Sequence, residues 1–152
     1  MKWLKYAVGL VVLVLLAWWV REKFFISDET RVRRQLAVMT KAVQGSGMLT
    51  LEGCIATDYR DDHGLERSTL IMAIRTYRMQ YERLLIFLSE LTVEMQPDGQ
   101  TAKVAFIAKV LAQPRGGLID SEMFTDRFRV YFRKTDGRWL MYRAESPELK
   151  FE

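Results

Sequence analysis

The densest group of side chains able to hold a cation or move a proton lies in one short loop. Asp58-Tyr59-Arg60-Asp61-Asp62-His63-Gly64 sets three carboxylates around the only histidine of the 152-residue chain. A hard cation would need oxygen ligands at defined spacings, and zinc or iron would need further nitrogen or sulfur donors. The chain has no second histidine and a single cysteine, Cys54, so no metal site is expected. Aspartates in such a loop also bond nearby amides in Asx-turns, and Gly64 can supply a positive φ. The structural reading is therefore preferred for the carboxylates, while Tyr59 is expected to pack its ring inward as part of a ligand cavity.

Proton chemistry would need an acid or base on an apolar wall, where burial shifts its pKa. Asp126 is the candidate. It shares strand parity with Phe124 and Phe128, and Tyr59 or Tyr142 could act with it. The alternative is that Asp126 pairs with an arginine such as Arg143, which shares parity with Trp139. Neither reading supplies a convincing acid–base pair. Phe106, Phe128 and Trp139 are expected to join Tyr59 in lining the cavity. There is no Gly-rich phosphate loop, Ser/His/Asp series or Cys/His pair, and no cofactor is expected. Cys54, in the run Leu51-Glu-Gly-Cys-Ile-Ala56, reads as a small core residue.

Charge is patterned as well. Lys103, Lys109, Arg127, Arg129 and Arg133 recur at alternate strand positions and form a basic face. A polar outer face is ordinary for an antiparallel sheet. The density of this one also suits an acidic protein partner, anionic headgroups or a second copy paired through Glu90 and Glu94. The net charge of +4 is dispersed, with no basic–aromatic interleaving, so nucleic-acid binding is not expected.

These residues depend on a simple order of elements. Ser27 followed by Asp28 and Glu29 is an N-cap and acidic first turn. Val32, Leu36, Met39 and Val43 repeat at helical spacing until Gly45-Ser-Gly47. A short helix is expected from Leu49 to Ala56, and a third begins near Ser68 with Leu70, Ile74, Tyr77 and Tyr81 on one stripe. The period then becomes two. Strands are expected over 85–95, 101–111, 123–134 and 138–144. Phe87, Leu91, Val93 and Met95 are placed on one face of the first, and Trp139, Met141 and Arg143 on one face of the last. Pro97-Asp-Gly99 and Asp136-Gly137 are turns, and a longer loop begins at Gln113-Pro-Arg-Gly-Gly117. Helices followed by an antiparallel meander make the fold α+β.

The N-terminus is different in kind. Tyr6 to Val20 carries no charge and is flanked by Lys2, Lys5, Arg21 and Lys23, with Trp3, Trp18 and Trp19 near its ends. Taken from Trp3 to Val20 as a helix it would reach about 27 Å, against a hydrocarbon core of about 30 Å. Small residues for signal cleavage are lacking around Ala17, so residues 1–23 are expected to be an uncleaved transmembrane signal anchor, with the membrane contacted through residues 3–20. Residues 24–152 are then one domain in the cell membrane's extracytoplasmic or periplasmic space, a single-pass arrangement.

The order of elements and three tracts resemble the NTF2-like (SnoaL-like, cystatin-like) superfamily. The tracts are Ser27-Asp-Glu-Thr-Arg-Val-Arg-Arg34, Asp58-Tyr-Arg-Asp-Asp-His-Gly64, and Val130-Tyr-Phe-Arg-Lys-Thr-Asp-Gly-Arg-Trp-Leu140. The resemblance covers about Ser27 to Ser146. It implies a cone, with a curved sheet wrapped around helices. The superfamily includes isomerases, dehydratases and polyketide cyclases, many members without chemistry, and membrane-anchored parts of secretion machines, so the fold alone selects no function. With no clear acid–base pair, the sequence favours a non-enzymatic binding or scaffold domain of a membrane complex. The alternatives are an isomerase-, dehydratase- or cyclase-type enzyme, or a carrier of an apolar ligand in the cone.

Overall fold

A computed structural model describes residues 2–24, 26–116 and 121–145, without the side chains of 2–6 and 22–24. Its elements run α1 (Lys2–Phe24), α2 (Asp28–Gln44), α3 (Met48–Gly53), α4 (Arg67–Gln80), β1 (Tyr81–Met95), β2 (Thr101–Pro114), β3 (Glu122–Thr135) and β4 (Arg138–Glu145). The fold is α+β, with one antiparallel meander in the order β1-β2-β3-β4. β1 starts earlier than expected. Tyr81 leaves α4 with an extended backbone and pairs with Pro114, because the strand partner outweighs the helical stripe that Tyr81 continues in sequence.

The helices form where the sequence places them. Ser27 Oγ accepts the Thr30 amide as the N-cap of α2. Asp28, in the first turn, accepts hydrogen bonds from Lys134 Nζ at 3.2 Å and Trp139 Nε1 at 3.4 Å, which ties the start of the helix to β3 and β4. Val32, Leu36 and Met39 of α2 face the sheet and are buried. Alternate residues of β2, Ala102, Val104, Phe106 and Ala108, are buried beneath them, as are Val130 and Phe132 of β3 and Trp139 and Met141 of β4. Burial of each large side chain contributes about 1.5–3 kcal/mol.

Besides a register shift where β1 begins, between Tyr81 and Arg83, two irregularities break the two-residue period. Ser89 pairs with Ile107 and Thr92 with Ala105, so β1 carries an extra residue, and Glu90 has φ +51°. Leu88, Leu91, Val93 and Met95 therefore all pack against the core. Phe87, expected to share the face of Leu91, lies on the outer face and is 53% exposed. In β4, Tyr131 pairs with Arg143 but Phe132 with Met141, which leaves Tyr142 as the extra residue. Beyond it Ala144 turns toward the core and Arg143 away from it, contrary to the parity expected for Arg143 with Trp139. Bulges bend and twist a strand, and these two do so in β1 and β4, the first and last strands of the sheet.

The edges are covered. Gln44 Oε1 accepts the Ile86 amide of β1. Residues 54–60 run beside β4, with Met141 N donating to Cys54 O, Ala56 N to Met141 O and Arg60 N to Tyr142 O. This capping leaves less unpaired backbone for other chains.

The expected transmembrane anchor over residues 1–23 is not supported: no helix among the described residues is long and apolar enough to cross a membrane. The uncharged run from Tyr6 to Val20 would rise only about 22 Å as a helix, short of a core of about 30 Å. The side chains of Trp3, Lys5 and Lys23, which the anchor would place at its ends, lie outside the described residues, as do residues 117–120 of the expected loop and the tail 146–152.

The strained position in β1 gives a direct test. Replacing Glu90 by Val should lower stability by about 1–2 kcal/mol, since a β-branched residue resists φ > 0, whereas Glu90→Gly should not. Urea denaturation of both variants checks this. In the same assay Asp28→Ala should cost about 1–2 kcal/mol through the lost bonds to Lys134 and Trp139.

Candidate functional site

Between α2 and the inner face of the sheet the packing is incomplete. A cavity of about 270 Å³ opens there, walled by residues such as Leu36, Met39, Ile74, Phe106, Phe128 and Met141. Phe106 and Phe128 face each other across β2 and β3 with ring centroids 5.7 Å apart. Ala108 and Ala144 leave room that larger side chains would fill.

Polar groups in this wall are few. Thr40 donates its hydroxyl to Leu36 O, a local bond along α2. Tyr59 is 2% exposed, and its phenol is part of the wall. Burial, aided by the charges of Asp61 and Asp62, pushes its ionisation well above the ordinary phenol range, so it is a neutral donor at any physiological pH. An apolar cavity with one neutral hydroxyl can hold an apolar molecule and bond one acceptor on it.

The residues singled out from sequence separate clearly. Tyr59, Phe106 and Phe128 line the cavity. Trp139 is buried but outside the lining, with its indole turned to Asp28. Asp126 opposes Ala108 in register but does not line the cavity, and its Oδ1 accepts the Arg127 amide at 2.7 Å. Tyr142 lies on the outer face, 6.3 Å from the Tyr131 ring and under the Arg133 guanidinium. Simple alternation with the inward Trp139 and Met141 puts it there. Asp126 and Tyr142 are therefore not brought together with Tyr59.

The loop around Tyr59 is held by its aspartates. Asp61 Oδ1 accepts the amides of His63 and Leu65, the Asx arrangement expected from sequence. Among the described residues no group of histidine, cysteine and carboxylate side chains could hold a metal ion. Asp58 and Asp62 reach the outer face instead. Arg133 donates to Asp58 at 2.7 Å, which holds that carboxyl below its usual range, and Arg143 donates to Asp62 at 2.6 Å.

The same pairing reaches into the basic face. Arg127 stands 3.8 Å from Glu90, Arg129 3.5 Å from Glu145, and Lys103 lies across from Glu94. Much of the expected positive strip is thus balanced by carboxylates of the same chain. On the core side, burial raises the Cys54 thiol pKa, as suits a core residue.

One polar cluster was not legible. Tyr81, 8% exposed, donates to Glu122 Oε2 at 2.8 Å. The Tyr77 ring lies 4.7 Å from that of Tyr81, and its hydroxyl is buried without a well-formed hydrogen bond. The third strand was expected to begin at Met123, so Glu122 fell outside it, although it shares parity with Phe124 and Asp126.

No family model matches the sequence, and no curated protein is detectably similar to it. Solved structures are similar in fold. A candidate scytalone dehydratase from Novosphingobium aromaticivorans superposes with a TM-score of 0.69 at 12% identity, covering 76% of this chain and 80% of that one. A candidate dehydratase of the NTF2-like family from Streptomyces avermitilis gives 0.67 at 18% identity, with 78% and 94% covered. A candidate aromatic ring hydroxylase, also from N. aromaticivorans, gives 0.69 at 15% identity, with 80% and 89% covered. The fold is NTF2-like.

Tyr59→Phe, which keeps the ring in the wall, should change stability by less than about 1 kcal/mol. Tyr59→Ala should cost about 3–5 kcal/mol by enlarging the cavity. Thermal or urea unfolding of the two variants measures the difference.

Proposed function

We propose that the domain binds an apolar small molecule bearing one hydrogen-bond acceptor inside the cone. The observation that carries this reading is the cavity of about 270 Å³ with an apolar wall that includes the Tyr59 phenol. Since an apolar cavity of about 150 Å³ stays dry and takes up benzene, a ligand of roughly two fused rings, or an equivalent chain, suits this one. Apolar burial would supply the affinity and the hydroxyl the orientation.

This reading stands ahead of the scaffold role expected from sequence because the arginines of the basic face are engaged within the chain. Catalysis of the dehydratase type is the second reading. What favours it is that similar structures are themselves described as candidate dehydratases. It would need an acid or base against the ligand, and the lining offers only hydroxyls.

The membrane location is also a proposal. Leu10, Leu13 and Trp18 of α1 are each more than 60% exposed, and such a surface is unfavourable in water. Association with a bilayer would cover it.

Binding is tested with a solvatochromic naphthyl ketone and by mass spectrometry of small molecules that co-purify. Ala108→Leu, which fills the cavity, should abolish probe binding without loss of stability, and Tyr59→Phe should weaken it about tenfold. Undiminished binding by the filled variant would remove the cavity from consideration. For the membrane, the full chain should float with liposomes and a Leu13→Lys, Leu16→Lys variant should not; flotation of both would reject the role of α1.

A further inference from the structure

The segment that carries Tyr59 is attached to the domain in an unusual way. Residues 54–56 run along β4 through Met141 N to Cys54 O at 2.9 Å and Ala56 N to Met141 O at 2.8 Å. The chain then leaves the strand, turns with Tyr59 N on Ala56 O at 3.1 Å, and returns at Arg60, whose amide meets Tyr142 O at 3.2 Å. Tyr59 fills the space between these attachments and forms part of the cavity wall.

On either side of Tyr59 an aspartate points the other way. Asp58 Oδ1 meets Arg133 Nη2 at 2.7 Å, and Asp62 Oδ1 meets Arg143 Nη2 at 2.6 Å and Nε at 3.1 Å. The arginines are themselves held by aromatic rings. The Arg133 guanidinium lies 5.1 Å from the Tyr142 ring centre and that of Arg143 5.5 Å from Tyr131. Arg143 also meets Glu145 Oε1 at 2.9 Å.

We propose that residues 56–62 are a strap over the ligand cavity, pinned on its outer side by Asp58–Arg133 and Asp62–Arg143. The pins position Tyr59 and set how fast ligand enters and leaves. Arg133 and Arg143 are thus positioning residues, since neither lines the cavity. This inference rests on the cavity being a ligand site. The physical logic lies in where each force acts. The ring of Tyr59 is buried and favours closure, but an apolar contact fixes no register. The ion pairs fix register, yet at 37–63% side-chain exposure they are weak and salt-screened, so they can open without unfolding the sheet. Opening would move Tyr59 away and breach the wall there.

The test uses the full chain, the naphthyl ketone probe in stopped flow, and hydrogen exchange on ligand-free protein. In Arg133→Gln/Arg143→Gln, association and dissociation rates should each rise about tenfold while Kd moves less than about threefold. Exchange should accelerate in 57–62 and stay unchanged in β3 and β4. The swapped pair Asp58→Arg/Arg133→Asp should restore slow exchange, and raised salt should mimic the double variant in the wild-type chain. Tyr59→Phe should behave differently, with weaker binding and unchanged exchange in the strap. Unchanged rates in the double variant, or faster exchange spread through β3 and β4, would overturn the strap. A probe that fails to bind the wild-type chain would overturn the ligand reading alone, and the exchange comparison would still decide whether the pins hold the strap.

Discussion

A sheet with one apolar face can keep that face dry only by closing on something, and here it closes on α2. Helix α2 touches both β1 and β4, the strands at opposite ends of the sheet order, so the sheet must curve around it. Two extra residues in β1 and one in β4 accompany that curvature. Glu90 takes a left-handed backbone for it, and Arg143 leaves the parity of Trp139 and Met141 for the outer face. The cavity, the strap and the outer ion pairs all follow from this wrapping.

Closure of a curved sheet on one helix leaves an imperfect fit. Large residues such as Phe132 and Leu51 fill one part of the interior, while Ala108 and Ala144 leave space in another. Filling that space would be favourable for stability alone. Its wall is nonetheless apolar apart from the hydroxyls of Thr40 and Tyr59. A cavity of this kind leaves packing energy unused. Charge is kept to the outside, where arginines meet carboxylates of the same chain and two of those pairs hold the segment bearing Tyr59.

Much of this was legible from local pattern. The N-cap at Ser27, the acidic turn after it, the helical spacing of Val32, Leu36 and Met39, and the Asp136-Gly137 turn are each decided by a few neighbouring residues. The alternation in β2 was clear because β2 is central and regular, and both its neighbours pair with it along most of its length. Phe106 could be assigned to the inner face on that basis. Phe87 and Arg143 could not be placed, because each lies near a bulge. Glu122 was missed because the start of a strand is set by its partner, here Ala112. The N-terminal apolar run was clear as composition, but a span also requires length, and its uncharged stretch is short.

The sequence by itself determined the element order, the α+β class, the apolar core stripes and the presence of a tyrosine flanked by aspartates. Those depend on residue type and short-range period. Only the tertiary structure decided which faces the residues beyond the bulges present, and that Asp58 and Asp62 turn out to Arg133 and Arg143. The reason is that a bulge shifts parity by one residue for the rest of its strand. Whether it forms depends on closing the sheet around a helix far away in the chain, a condition that no local pattern contains.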